Sequence, residues 1–155
     1  MSIEIDITWD WLEWNEGFTW KKNILPQLEE CNINEVQIER CVYVVRGNGF
    51  FAINYPNDIS PTLYIGAGNF KNRIIQHKNW FKGLIDLVGE FPFLVGICIP
   101  RVKNNYEAYK DLEAALLIEF KNIYGCAPLK NKRMENRKCD YKYCPKEDFR
   151  GAIMI

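Results

Sequence analysis

Arg73 and His77 stand four residues apart in the stretch TLYIGAGNFKNRIIQH, residues 62–77, directly after a Tyr-Ile-Gly sequence. On a helix that spacing places a guanidinium and an imidazole on one face. A guanidinium presents a fork of donors that grips a phosphate. An imidazole can accept or relay a proton near neutral pH. Tyr64 adds a phenol, with a reference pKa of about 10, so proton chemistry at neutral pH would need a neighbouring cation to favour the phenolate. Each residue also has a plain structural use. Tyr64 could be a core tyrosine with a satisfied hydroxyl, Gly66 could serve a tight strand exit, and His77, the only histidine, could simply pack.

These residues need elements to hold them. CVYVVR (41–46) is β-branched and aromatic, which predicts a strand carrying Tyr43. Two glycines, two prolines and several Asn and Asp residues follow in 47–61, predicting a turn and an irregular connection. TLYIG is then a second strand, antiparallel to the first. From Asn69 the apolar period becomes helical, with Asn69 as N-cap, a break near residues 80–83 and a second short helix to Val88. FLVGICIPR (93–101) predicts a third, buried strand. The strongest helix pattern runs through 105–125, with Tyr109, Leu112, Leu116 and Phe120 in one stripe and Gly125 as C-cap.

Earlier in the chain, IEIDITWDW alternates, predicting one strand with Ile3, Ile5, Ile7, Trp9 and Trp11 on a single side. A short helix with Pro26 in its first turn follows. The terminal RGAIMI predicts an edge strand. The expected fold is a small α/β (α+β) domain with a three-stranded, mainly antiparallel core sheet flanked by helices. Residues 1–39 read as an acidic, Trp-rich N-terminal appendage to a domain spanning 40–155.

Composition fits one globular domain: 155 residues, 48% hydrophobic and 14% aromatic. No run approaches the roughly 20 apolar residues of a membrane span, and acids stand where a signal peptide needs lysines. The expectation is a cytoplasmic protein with no membrane partner. Six cysteines then read as reduced thiols, with Cys41 and Cys98 packed in apolar strands. Cys126, Cys139 and Cys144 are too loosely spaced for a convincing zinc site.

Net charge is zero but unevenly placed. Residues 1–40 carry nine acids against three bases, whereas 41–155 carry 17 bases against 11 acids. Seven bases and two acids fall within 125–146 alone. That asymmetry points to a polyanion surface or to a solvated basic face. The tryptophans Trp9, Trp11, Trp14 and Trp20 suit packing or partner docking better than base stacking in so acidic a segment.

The ordered set is more telling than any member. CVYVV, then LYIG, then Arg73 with His77, then Glu119 in LEAALLIEFKNIYGCAPLKN with Asn131 twelve residues on, resembles the GIY-YIG nuclease family over roughly residues 40–133. Departures are Cys41 at a usual glycine, Ala67 after Gly66, and a long connection between the tyrosines. The resemblance implies a metal-dependent DNA endonuclease, with Tyr43, Tyr64, Arg73, His77, Glu119 and Asn131 catalytic and Gly66 a structural motif residue. Tyr43 would take the proton from the attacking water. Glu119 would hold Mg²⁺ or Mn²⁺, and Asn131 would orient a ligand or cap the site. A hard carboxylate oxygen suits a hexacoordinate ion that keeps several waters. Lys71, Lys78, Lys130, Lys132 and Arg133 would contact DNA. Residues 1–39 could mediate a homodimer or dock a partner protein. The rival reading is a catalytically weak or inactive nucleic-acid-binding or scaffolding protein on the same fold, and Arg73 and Glu119 could equally form a structural bridge.

Overall fold

A computed structural model describes residues 3–15, 17–48, 51–88, 93–132 and 139–154, apart from the side chains at 79–81 and 85–88. The chain begins with β1 (Ile3–Asp6) and β2 (Asp10–Trp14). A π-helical turn, Trp20–Ile24, runs into α1 (Leu25–Glu30), and a 3-10 turn, Gln37–Arg40, delivers the chain to β3 (Cys41–Arg46). The two-residue strands β4 (Ile53–Asn54) and β5 (Ile59–Ser60) precede β6 (Thr62–Gly68). Then come α2 (Phe70–Val88), β7 (Phe93–Cys98), α3 (Ala108–Tyr124), β8 (Tyr141–Cys144) and α4 (Lys146–Gly151).

The main sheet is antiparallel and has the order β2-β7-β3-β6. It contains the three expected strands and one more, so the three-stranded expectation is corrected to four. The added strand comes from the N-terminal segment, paired from Asp10–Ile97 to Trp14–Phe93. The single opening strand is likewise corrected to two. β1 leaves the main sheet and pairs in parallel with β8. At that change the buried positions switch from Ile5 and Ile7 to Leu12 and Trp14, while Trp11 turns outward. Trp11 still has a seat, because a Cβ on Gly96 would lie 2.7 Å from its ring.

β3 is central and buried on both faces. Cys41, Tyr43 and Val45 point to one side, against Ile24, Leu28, Ile38, Phe70 and Ile74. Val42 and Val44 point to the other, against Leu112, Leu116, Phe120 and Ile153. Alternation along a strand puts neighbours on opposite faces, so a helical layer covers each. Burying each large aliphatic or aromatic side chain contributes about 1.5–3 kcal/mol. Residues from the segment expected as an appendage, Leu12, Trp14, Ile24, Leu28, Ile33 and Ile38, thus help build the core that holds Tyr43.

α2 is continuous from Phe70 to Val88, correcting the expected break. Gly83 faces open space, and an exposed helical glycine weakens a helix by about 1 kcal/mol without ending it. The expected terminal strand is instead α4 followed by buried Ala152 and Ile153. Side chains take the carbonyls that a strand would have offered. Arg46 donates to the Gly151, Ala152 and Met154 carbonyls, and Ser60, Thr62 and Tyr124 donate to that of Ile153. All six cysteines are free, with Cys41 and Cys98 buried. No helix among the described residues is long and apolar enough to cross a membrane.

Candidate active site

The Tyr-x-Gly spacing of β6 acts through strand register. Tyr64 and Gly66 share a face, and β3 lies beside them with Tyr43 opposite Gly66 and Val45 opposite Tyr64. The Tyr43 ring lies across Gly66. A Cβ there would sit 2.5 Å from the Tyr64 ring and 2.7 Å from the Tyr43 hydroxyl oxygen. Gly66 is therefore a mid-strand clearance, not the strand exit its sequence context suggests. The exit is two residues on, at Gly68, whose φ of 106° is in the left-handed region. Gly66→Ala is expected to push the two rings apart and cost about 1–3 kcal/mol of stability. Thermal unfolding would test this, and an unchanged melting temperature would count against the clearance role.

Asn69 starts α2 as expected: its Oδ1 accepts from the Asn72 N–H at 3.3 Å. Phe70, Ile74 and His77 then fall on the buried side at helical spacing. Phe70, which the sequence marks only as an apolar position, meets the Tyr43 ring edge-on at 5.4 Å. Two turns later the His77 Nε2 and the Tyr43 hydroxyl are 2.9 Å apart. The His77 ring also packs on Tyr64, with centroids 4.5 Å apart. Arg73 remains exposed, and its guanidinium makes no ion pair among the described residues.

Burial sets the protonation states. It pushes the Tyr43 phenol well above its ordinary range, reinforced by Tyr64 and opposed by Arg73. The phenolate expected from the sequence is thus disfavoured, and Tyr43 is held as a neutral phenol. Burial, then the Arg73 charge, lowers the His77 pKa to about 4. His77 is a neutral acceptor or donor at neutral pH, and its tautomer decides which partner of the Tyr43 pair donates.

That shift has a stability consequence. The unfolded histidine has a pKa near 6.5, so between about pH 6.5 and 4 the unfolded chain binds the extra proton. Stability contributed by neutral His77 is full above about 6.5 and is lost as the pH falls towards 4, by about 3 kcal/mol in all. His77→Gln should flatten this part of the curve in denaturant melts. An equal acid slope in wild type and variant would count against it.

Asn131 lies along the outer edge of β6. Its Oδ1 accepts from the Ile65 N–H at 3.0 Å and its Nδ2 donates to the Ile65 carbonyl at 2.8 Å. The Lys130 N–H donates to the Leu63 carbonyl. Asn131 therefore grips the backbone between Tyr64 and Gly66 in place of a further strand.

Glu119 is carried by α3, the helix over the Val42–Val44 face, whereas Tyr43 and His77 lie on the other face. Its Oε1 accepts from the Arg150 Nε at 2.9 Å. The carboxylate pairs with Arg150 of α4, so the Arg73–Glu119 bridge does not form. Arg150 carries no motif signal in the sequence. Among the described residues no three His, Cys, Asp or Glu side chains form a metal-sized group, and Cys126, Cys139 and Cys144 are included in that statement. The donor set suits at most an ion with one protein carboxylate and otherwise water and phosphate oxygens. Glu119 fits that description through its second oxygen, which has no partner among the described residues.

Of the basic residues, Lys71 lies 3.8 Å from Glu35 and over the Trp20 ring. Lys78 and Lys132 are exposed, and Arg133 lies outside the described residues. No protein-family model, curated protein or solved structure matches this chain.

Proposed function

We propose that this chain is a GIY-YIG-type endonuclease that hydrolyses DNA phosphodiester bonds with Mg²⁺ or Mn²⁺. The observation that supports it most is the 2.9 Å contact between the Tyr43 hydroxyl and His77 Nε2, with exposed Arg73 one helical turn before. The antiparallel run β6-β3-β7, with α2 and α3 on opposite faces, carries these residues.

In this reading Arg73 holds the scissile phosphate and neutralises charge as it develops. Half-buried Tyr64 meets the attacking water, and buried Tyr43, hydrogen-bonded to His77 and packed on Tyr64, holds that phenol in place. Tyr43 can act this way without becoming a phenolate, which its burial disfavours. Asn131 fixes the Ile65 backbone and through it the orientation of Tyr64. A divalent ion on Glu119 would supply charge stabilisation at phosphate oxygens, from a carboxylate carried over the opposite face of the sheet from Tyr43. The lysines Lys78, Lys130 and Lys132 follow the backbone on either side.

Incubation of supercoiled plasmid with and without Mg²⁺ tests the reading. Nicked or linear product only with the metal is the expected result. The pairing of Glu119 with Arg150 favours one second reading, a DNA-binding protein whose carboxylate is already neutralised. That protein would shift plasmid on a gel and leave it supercoiled.

A further inference from the structure

Arg40, Arg101 and Lys103 line an open surface cavity of about 440 Å³ at the end of the sheet where β3 begins and β7 ends. Its apolar wall includes Val36, Ile99 and Pro100, and no acid among the described residues lines it. Tyr106 stands beside them, 80% exposed, with the Arg40 guanidinium 5.4 Å from its ring centre. Among the described residues none of these three cations forms an ion pair.

The loop that carries Lys103 and Tyr106 is held in place. Val102 and Asn105 bridge across a tight turn, with Asn104 at a φ of 63°. The Asn105 Nδ2 donates to the Tyr141 hydroxyl at 2.7 Å and to the Asp111 Oδ2 at 3.3 Å. Asp111, only 3% exposed, also accepts the Cys139 N–H. A buried carboxylate thus anchors a turn whose outer side chains contribute nothing to the core. Such preorganisation lowers the ordering cost of binding.

We infer that this cavity binds one nucleotide unit of a nucleic-acid strand, its base against the apolar wall and Tyr106 and its phosphates among Arg40, Arg101 and Lys103. The size falls within the roughly 300–1,000 Å³ of small-ligand pockets. Unneutralised cations call for a polyanion, and an exposed aromatic ring beside an apolar wall calls for a planar base, which an acidic peptide lacks. Arg40 precedes Tyr43 by three residues, about 10 Å along an extended strand. The α2 N-terminus, with Arg73 in its first turn, starts at the same end of the sheet. The cavity therefore receives a nucleotide flanking the phosphate held at Arg73, and only this last placement rests on the nuclease reading.

The test is fluorescence anisotropy of a labelled single-stranded decanucleotide in EDTA, so that binding is read without cleavage. Tyr106→Ala should weaken binding about 5- to 100-fold, as loss of one stacked base does, with an unchanged melting temperature. Arg101→Gln with Lys103→Gln should reduce the slope of log K against log salt by about 1.4. Wild-type affinity and slope in both variants would overturn the inference, as would equal competition by polyglutamate. A nucleoside monophosphate should compete only weakly. Displacement at the decanucleotide's own concentration would assign the cavity to free nucleotides and overturn the strand placement. Weakened binding in the variants of a chain that does not cut plasmid would leave the cavity standing and remove the nuclease.

Discussion

Glu119→Gln is expected to abolish Mg²⁺-dependent cleavage, a loss on the order of 10²–10⁴-fold from several kcal/mol of missing charge stabilisation. The proposed ion has one protein carboxylate, so its removal leaves no other charged ligand. The glutamine keeps a carbonyl oxygen that can accept from the Arg150 Nε, now 2.9 Å from Oε1. The bridge itself is partly exposed on the Arg150 side and contributes about 0–1 kcal/mol. The variant should therefore melt close to wild type and bind DNA nearly as well. Undiminished Mg²⁺-dependent nicking by a folded Gln variant would remove Glu119 from the metal site. Comparable activity in EDTA would remove the metal.

Arg73→Ala should reduce the cleavage rate about 10²–10³-fold, because a charge-assisted grip on the developing phosphate charge is typically worth about 3–4 kcal/mol. Its side chain is exposed and unpaired among the described residues, so little stability depends on it. Loss of the guanidinium also removes a charge that lowers the His77 pKa. The variant's histidine should titrate at higher pH, which NMR of the single histidine can follow directly. Single-turnover rates at saturating DNA separate the chemical step from binding. A variant that cuts at the wild-type rate would show that Arg73 is an ordinary surface charge.

Much of the frame was legible in the chain. CVYVV and TLYIG announced two buried strands through β-branched and aromatic composition, and they pair antiparallel with Tyr43 opposite Gly66. The α3 stripe and its Gly125 cap were equally plain, since helical periodicity and a left-handed cap are local signals. Asn69 as N-cap and the four-residue spacing of Arg73 and His77 are local in the same sense.

What tertiary structure alone decided is long-range. Ile3–Trp11 alternates without interruption, yet the pairing partners change within it, from β8 to β7. No local pattern records which distant strand a segment will meet. The same holds for the terminal segment, whose carbonyls are claimed by Arg46, Ser60, Thr62 and Tyr124 from elsewhere in the chain. The site follows this division. Residue types and spacing determined that a guanidinium, an imidazole and two phenols would be available on adjoining elements. Only packing decided that Tyr43 would be a buried neutral phenol on His77, that Gly66 would clear its path, and that Glu119 would take Arg150 as partner. Burial and ion pairing depend on what surrounds a group in space, and desolvation moves a pKa by amounts that the side chain's own chemistry does not contain.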